Sequence, residues 1–315
     1  MHAANCWQRS ITCSPASSLD AASVARLLAL GAIWGGSFLF MRIAAPAVGV
    51  AATTFGRVAF AAAGLGALVL ALRLPFDFRG RLRAALALGL LNSAVPFMLF
   101  AYAAKALPAG YSAILNSTVP PMGVVIGAIF FGERPTLAKV AGVLLGLAGV
   151  AVLMQRGPVE PTVTVLLGIA ACLGASACYA TAGFLARRWV MHRGVDDRLL
   201  ALGSLLGATA ALAPLFLWQW AGPGIEWNRA SPAVWLSIAS LGLVCSALAF
   251  VLYFRLLADI GPMKSMTVAF LLPVFGVFWG WLLLDERLSS AHLAGGALVA
   301  LSLWLVLRPA APRPA

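Results

Sequence analysis

The residue with the most chemistry to offer is Arg57, in the run Phe55-Gly-Arg-Val-Ala-Phe60, because it sets a permanent cation inside an otherwise apolar stretch. Placing such a charge at mid-membrane costs about 2.5–3.5 kcal/mol on insertion scales, so intramembrane cations usually face a watery interior and mark a pathway. Arg57 lies seven residues into its run, about 10 Å deep at roughly 1.5 Å per residue. Snorkelling to the outer interface is therefore the second reading. The chemistry available to it is anion binding. The apolar runs hold no paired Asp and Glu, so acid–base catalysis and a carboxylate proton relay both lack their groups. No nucleophile elbow, phosphate loop, dinucleotide fingerprint or zinc spacing is present. The five cysteines (Cys6, Cys13, Cys172, Cys178, Cys245) form no CxxC pair, and His2, His192 and His292 make no ligand cluster. No metal, cofactor or enzymatic activity is expected.

Polar side chains inside apolar runs cannot face lipid cheaply, so they line a cavity or bond between helices. Trp34 and Ser37 sit in Leu30-Gly-Ala-Ile-Trp-Gly-Gly-Ser-Phe38, where Trp34 reads equally as packing filler or as cavity wall. Asn92, Ser93 and Tyr102 follow on one run, and Ser112, Asn116, Ser117 and Thr118 on the next. Tyr179, Ser246, Tyr253 and Ser265 occupy the second half of the chain. The candidate substrate-binding set is Trp34, Ser37, Arg57, Tyr102, Ser112, Asn116, Tyr179, Tyr253 and Ser265.

The elements that must position these residues are membrane helices. The chain has 62% apolar and only 10% charged residues, which describes a polytopic helical membrane protein. At about 20 apolar residues per crossing, ten spans fit, at 27–46, 50–72, 84–104, 109–131, 137–154, 163–186, 198–220, 233–254, 262–284 and 290–307. The net charge of +12 would suggest a nucleic-acid partner in a soluble chain; here it is a topology signal. Basic residues crowd the tails and even-numbered loops, with Arg73, Arg79, Arg81, Arg83, Arg187, Arg188 and Arg193 among them. Arg42, Lys105, Arg156, Arg229 and Arg287 fall on the other side. The positive-inside rule then places both termini in the cytoplasm, with membrane lipid rather than nucleic acid as the surrounding partner. Trp218, Trp220, Trp227 and Trp235 read as an interfacial belt.

The run from Ser93 to Arg134 returns 153 residues later, from Ser246 to Arg287, sharing Phe97/Phe250, Ser112/Ser265, Pro120/Pro273, Gly123/Gly276, Gly127/Gly280 and Glu133/Glu286. More weakly, Trp34 falls on Tyr179 and Arg42 on Arg187 at an offset of 145. Pro120 and Pro273 stand near mid-span, where each removes a backbone hydrogen bond and crowds the carbonyl four residues back. Bent helices at matched positions of two repeats point to a transport site, so both prolines are candidate hinges. With five spans per repeat the two copies must be inverted. The expected organisation is a cytoplasmic tail over 1–26 and repeats over 27–155 and 163–308, joined by a linker containing Pro158 and Pro161. Glycines on the fifth and tenth spans leave two uses open, bundle packing and a homodimer interface.

The pattern IWGGSF with Arg42, the early Arg57 and above all AYAAKALPAGYSAILNSTVPPMGVVIGAIFFGERPTLAKVAGVLLGLAGVAVLM resemble the EamA family of the drug/metabolite transporter superfamily. The second copy, through DERLSSAHLAGGALVALSLWLVL, is similar to the same unit. The resemblance covers nearly all of 27–308. It implies an all-α integral membrane carrier of ten transmembrane helices in two inverted five-helix repeats. By the same resemblance, the carrier exports small amino-acid-like metabolites across the bacterial inner membrane by alternating access. A broad drug or amphiphile exporter is the alternative within transport, and a non-transporting signalling or lipid-handling protein the alternative outside it. The second copy departs from the first at Phe270-Leu271-Leu272, opposite Ser117-Thr118-Val119. One cavity wall should then be apolar, suited to an amphipathic substrate.

Overall fold

A computed structural model describes residues 21–156, 160, 162–190, 194–222, 224–265 and 267–307. Most of the expected N-terminal tail (with Cys6, Cys13 and His2), the linker prolines Pro158 and Pro161, and His192 lie outside the described residues. Among the described residues every regular element is helical. Seven helices are long and apolar enough to cross a membrane, and 137–153 and Val268–Leu284 are shorter apolar helices.

The first element, α1 (Ala21–Ala71), has 51 residues and as one rod would measure about 76 Å, far more than a bilayer core. It is not one rod. Gly49, at φ 84 and ψ 168, interrupts it three residues after Pro46, a backbone conformation that only glycine adopts cheaply. Next come α2 (Leu82–Gly89) and α3 (Val95–Ala103), joined by a π-helical turn at Leu90–Ala94. The chain continues through α4 (Ala109–Asn116), α5 (Val119–Phe130), α6 (Leu137–Arg156), α7 (Val163–Trp189) and α8 (Asp197–Ala221). A second π-helical stretch, Ser240–Leu248, joins α9 (Pro232–Ala239) to α10 (Ala249–Ser265), and α11 (Val268–Leu284) and α12 (Ser290–Leu307) close the bundle.

Two expectations about local structure are modified. Pro120 does not bend a continuous helix. The chain breaks at Ser117–Thr118, and Pro120 is the second residue of α5, where its missing N–H removes no bond. Pro273 does lie inside α11. Finally, the loop expected at 255–261 is helical: α10 runs on to Ser265, and Thr267 stands in a turn before α11. Good helix formers at Leu256, Leu257 and Ala258 and an Arg255–Asp259 pair one turn apart, at 3.3 Å, carry α10 onward.

Helices from the two halves interlock. A Cβ on Gly242 would sit 2.8 Å from the Arg57 carbonyl oxygen, and its counterpart 153 residues earlier, Gly89, lies as closely against Ser204 of α8. The stretch around Gly242 thus beds into α1, and that around Gly89 into α8. The glycines of α6 pack on α12: a Cβ on Gly149 would be 2.9 Å from the Gly295 carbonyl. Those small-residue faces are used within the bundle, which withdraws their support for a homodimer. Trp218, Trp220 and Trp235 are exposed on the outer surface of the bundle.

Candidate functional site

A cavity of about 540 Å³ lies between the halves. Arg57 lines it and is only 6% exposed, so the snorkelling alternative does not describe its position. Its Nε donates to Ser246 Oγ at 3.3 Å and its Nη1 faces Met41 Sδ at 3.7 Å. Its Cζ lies 3.6 Å from the centre of the Phe97 ring, a cation–π contact that offsets part of the desolvation cost. Among the described residues no carboxylate pairs with it, and no other Asp, Glu, Lys, Arg or His lines the cavity.

Seven of the nine sequence-derived candidates line this cavity: Trp34, Ser37, Arg57, Asn116, Tyr179, Tyr253 and Ser265. Trp34 packs against Tyr253 with ring centroids 5.6 Å apart, and Tyr179 stacks on Phe100 at 6.2 Å. Asn116 Oδ1 is buried and has no protein hydrogen-bond partner. Tyr102 and Ser112 fall outside the lining. Tyr102 is 39% exposed, because at about 100° per residue it points roughly 200° away from Phe100, which does line the cavity. Ser112 is buried one helical turn from Asn116, with its hydroxyl facing Cys172 Sγ at 4.0 Å.

The two π-helical stretches occupy equivalent positions in the repeat and bring Asn92, Cys245 and Ser246 to the cavity wall. Ser246 Oγ donates back to the Leu241 carbonyl, five residues earlier, at 2.9 Å. In the first copy Pro96 follows the widened turn; the second has Ala249 there, so the stretch carries no common sequence marker. Ser117 is a further residue whose role emerges only in three dimensions. Pro273 deprives the Ala269 carbonyl of its helical donor, and Ser117 Oγ, from the other half, lies 3.3 Å from that oxygen and 3.4 Å from the Ala113 carbonyl, which share its one proton. Asn116, Ser117, Val119 and Pro120 line the wall from the first copy and Ser265, Val268, Ala269 and Leu272 from the second; of the run Phe270-Leu271-Leu272 expected to make one side apolar, only Leu272 reaches it.

The two ends of the cavity also differ. At one end Glu286 accepts hydrogen bonds from the N–H groups of Ala109 (2.7 Å) and Gly110 (3.4 Å), capping the N-terminus of α4. Arg42 donates to the carbonyls of Ala104 and Lys105 at 2.9 and 3.2 Å, closing the C-terminus of α3. At the other end their counterparts, Glu133 and Arg187, meet each other at 3.3 Å. There Arg26 and Asp259 join α1 to α10 at 2.7 Å. Gly183 of α7 and Leu307, the last residue of α12, carry the cavity wall toward this second end. His292 serves locally: its Nδ1 lies 2.9 Å from Ser289 Oγ. No group of His, Cys, Asp and Glu among the described residues could hold a metal ion.

The EamA-like transporter family matches residues 23–155 and again 166–308. The chain is 28% identical over 281 residues, 87% of its length and 90% of the relative's, to a probable terminal-alkyne amino-acid exporter of Streptantibioticus cattleyicolor. It is 24% identical over 204 residues (65% and 68%) to the uncharacterized transporter YoaV of Bacillus subtilis. A probable amino-acid metabolite efflux pump of Escherichia coli is 24% identical over 204 residues (63% and 67%). One crystal structure superimposes over 90% of this chain and 95% of its own with a TM-score of 0.63 at 21% identity, a likeness of fold. With both halves matched, the chain belongs to the EamA-like transporter family and is a multi-pass membrane transporter.

Proposed function

We propose that the protein is a secondary transporter of the bacterial inner membrane that exports small amino-acid-like metabolites by alternating access. The observation that carries this reading is the cavity around Arg57 whose two ends are built from equivalent residues in different states. Glu286 and Arg42 bind the α3–α4 turn, while Glu133 and Arg187 bind one another. Exchanging these arrangements would close the second end and open the first. Counting α1 as two helices about Gly49 gives ten helices, in two inverted repeats over 27–155 and 163–308, with both termini in the cytoplasm. The cavity then opens inward. The relatives named as amino-acid exporters support the substrate class and the direction.

In this reading Trp34, Ser37, Arg57, Asn116, Tyr179, Tyr253 and Ser265 contact the substrate, and Pro120 and Pro273 serve as hinges. Counterflow of a labelled amino-acid panel into proteoliposomes tests it. Accumulation driven by internal substrate is expected, and its absence across the panel would favour a signalling or lipid-handling role. Pro120→Ala and Pro273→Ala should insert normally and slow exchange; unchanged rates remove the hinge role. The apolar lining from Phe97, Phe100, Phe250 and Leu272 favours one second reading, a broad amphiphile exporter. Resistance profiles of cells lacking their own exporters separate the two.

A further inference from the structure

We infer that the cavity recognises an organic monocarboxylate with an apolar body, and that a substrate's ammonium group, where present, contributes little to binding. This rests on the transporter reading above and narrows its substrate class.

Arg57 is more than nine-tenths buried and lines the cavity. Of its five N–H donors, one on Nε and one on Nη1 have protein acceptors among the described residues, the second a weakly accepting thioether. Phe97 covers the face of the guanidinium. That contact leaves the edge of the plane, the direction in which arginine grips a carboxylate through two parallel hydrogen bonds. Charge selects the same class. With one cation and no acid in the wall among the described residues, a monoanion makes the loaded cavity neutral. A dianion such as a phosphate monoester would leave a buried negative charge, and an amine would add a second positive one.

A zwitterion brings its own ammonium, but among the described residues the wall has no carboxylate to pair with it. Asn116 offers an amide that carries both donor and acceptor, and it serves a carboxylate oxygen as well as an ammonium. Beside its hydroxyl and amide groups the wall carries Phe97, Phe100, Phe250 and Leu272, which reward an apolar body by burial alone. Loss of the ammonium therefore removes a group for which the cavity has no dedicated partner.

The test is counterflow in proteoliposomes with four probes that share a phenyl ring: phenylalanine, N-acetylphenylalanine, 3-phenylpropanoate and phenethylamine. Thermal shifts are read on the same purified protein. The three carboxylates should exchange within about threefold of one another and phenethylamine about tenfold or more weaker, the scale of a lost charged hydrogen bond. Arg57→Gln should cost the carboxylates about tenfold or more and spare the amine, and Arg57→Lys should restore part of the loss. If Arg57→Gln fails to fold, the unmodified protein's ranking of the four probes decides alone. Exchange of phenylalanine with neither exchange nor stabilisation by the two carboxylates lacking an ammonium would overturn the inference and leave the transporter reading intact. Preference for phenethylamine would do the same. Exchange and stabilisation by none of the four would overturn the inference together with the amino-acid-like substrate reading.

Discussion

At one end of the molecule Glu286 reaches across the seam between halves to the first two amides of α4; at the other, Glu133 turns to Arg187 on the surface. The two glutamates come from the same position of a duplicated hairpin, each six residues after an equivalent glycine, Gly280 or Gly127. What separates them is the partner helix. α11 packs along α4, and the described residues give α5 no comparable contact with α10. Equivalent residues thus carry unequal energies. A carboxylate on helix-terminal amides makes charge-assisted hydrogen bonds reinforced by the helix dipole, whereas an ion pair whose side chains are 64% and 41% exposed is worth about 0–1 kcal/mol.

The sharpest way to break this comparison is Glu286→Ala. Losing charged hydrogen bonds at about 1.5–3 kcal/mol should shift the balance between the two ends by about 10–100-fold. An impermeant thiol reagent should then label a cysteine placed at Ala106, in the α3–α4 turn, about tenfold faster or more. No change in labelling would mean that Glu286 does not hold that end shut. Arg42→Ala removes two bonds to the same turn and should act in the same direction, by about tenfold on the lower value of a charged donor. Protection of the Ala106 position equal to the parent's would show that Glu286 alone suffices.

Ser117→Ala tests the seam itself. It leaves the Ala269 carbonyl without a donor at a cost of about 1 kcal/mol, visible as a Tm lowered by a few degrees. In a Pro273→Ala background, where the helix supplies its own donor, that loss should vanish; an equal loss in both backgrounds would deny the pairing. The smallest effect is expected for Glu133→Ala, with Tm and Ala106 labelling unchanged. Counterflow should nonetheless slow if Glu133 takes the role of Glu286 in the opposite state. A Tm loss as large as that of Glu286→Ala would erase the difference between the ends.

Much of the fold was legible because the signals were repeated or costly. The hairpin recurs at one offset, Pro46 and Gly49 mark the first reversal, and a buried arginine must have an interior to face. The cavity set followed from polarity for Trp34, Asn116, Tyr179 and Ser265. Polarity failed for Tyr102 and Ser112, since it states that a group avoids lipid and leaves open whether it meets a cavity, a neighbour or the headgroup zone. The π-helical stretches were hidden because an i→i+5 bond has no residue preference comparable to that of proline or glycine. The inequality of Glu133 and Glu286 shows in the sequence only at their partners: Ala109, whose N–H meets Glu286, is matched 153 residues later by Pro262, which has no N–H to give.

The crossings at Gly89 and Gly242 also bear on how the protein is made. Gly89 fits against Ser204 of α8, a residue synthesised 115 positions later. At about 5–20 residues per second, the ribosome takes on the order of ten seconds to supply that partner. For that interval the first half sits in the bilayer with its notch unfilled, and neither half completes its own interior. A gene cut at the linker should therefore yield two products that are degraded separately and recovered only when made together.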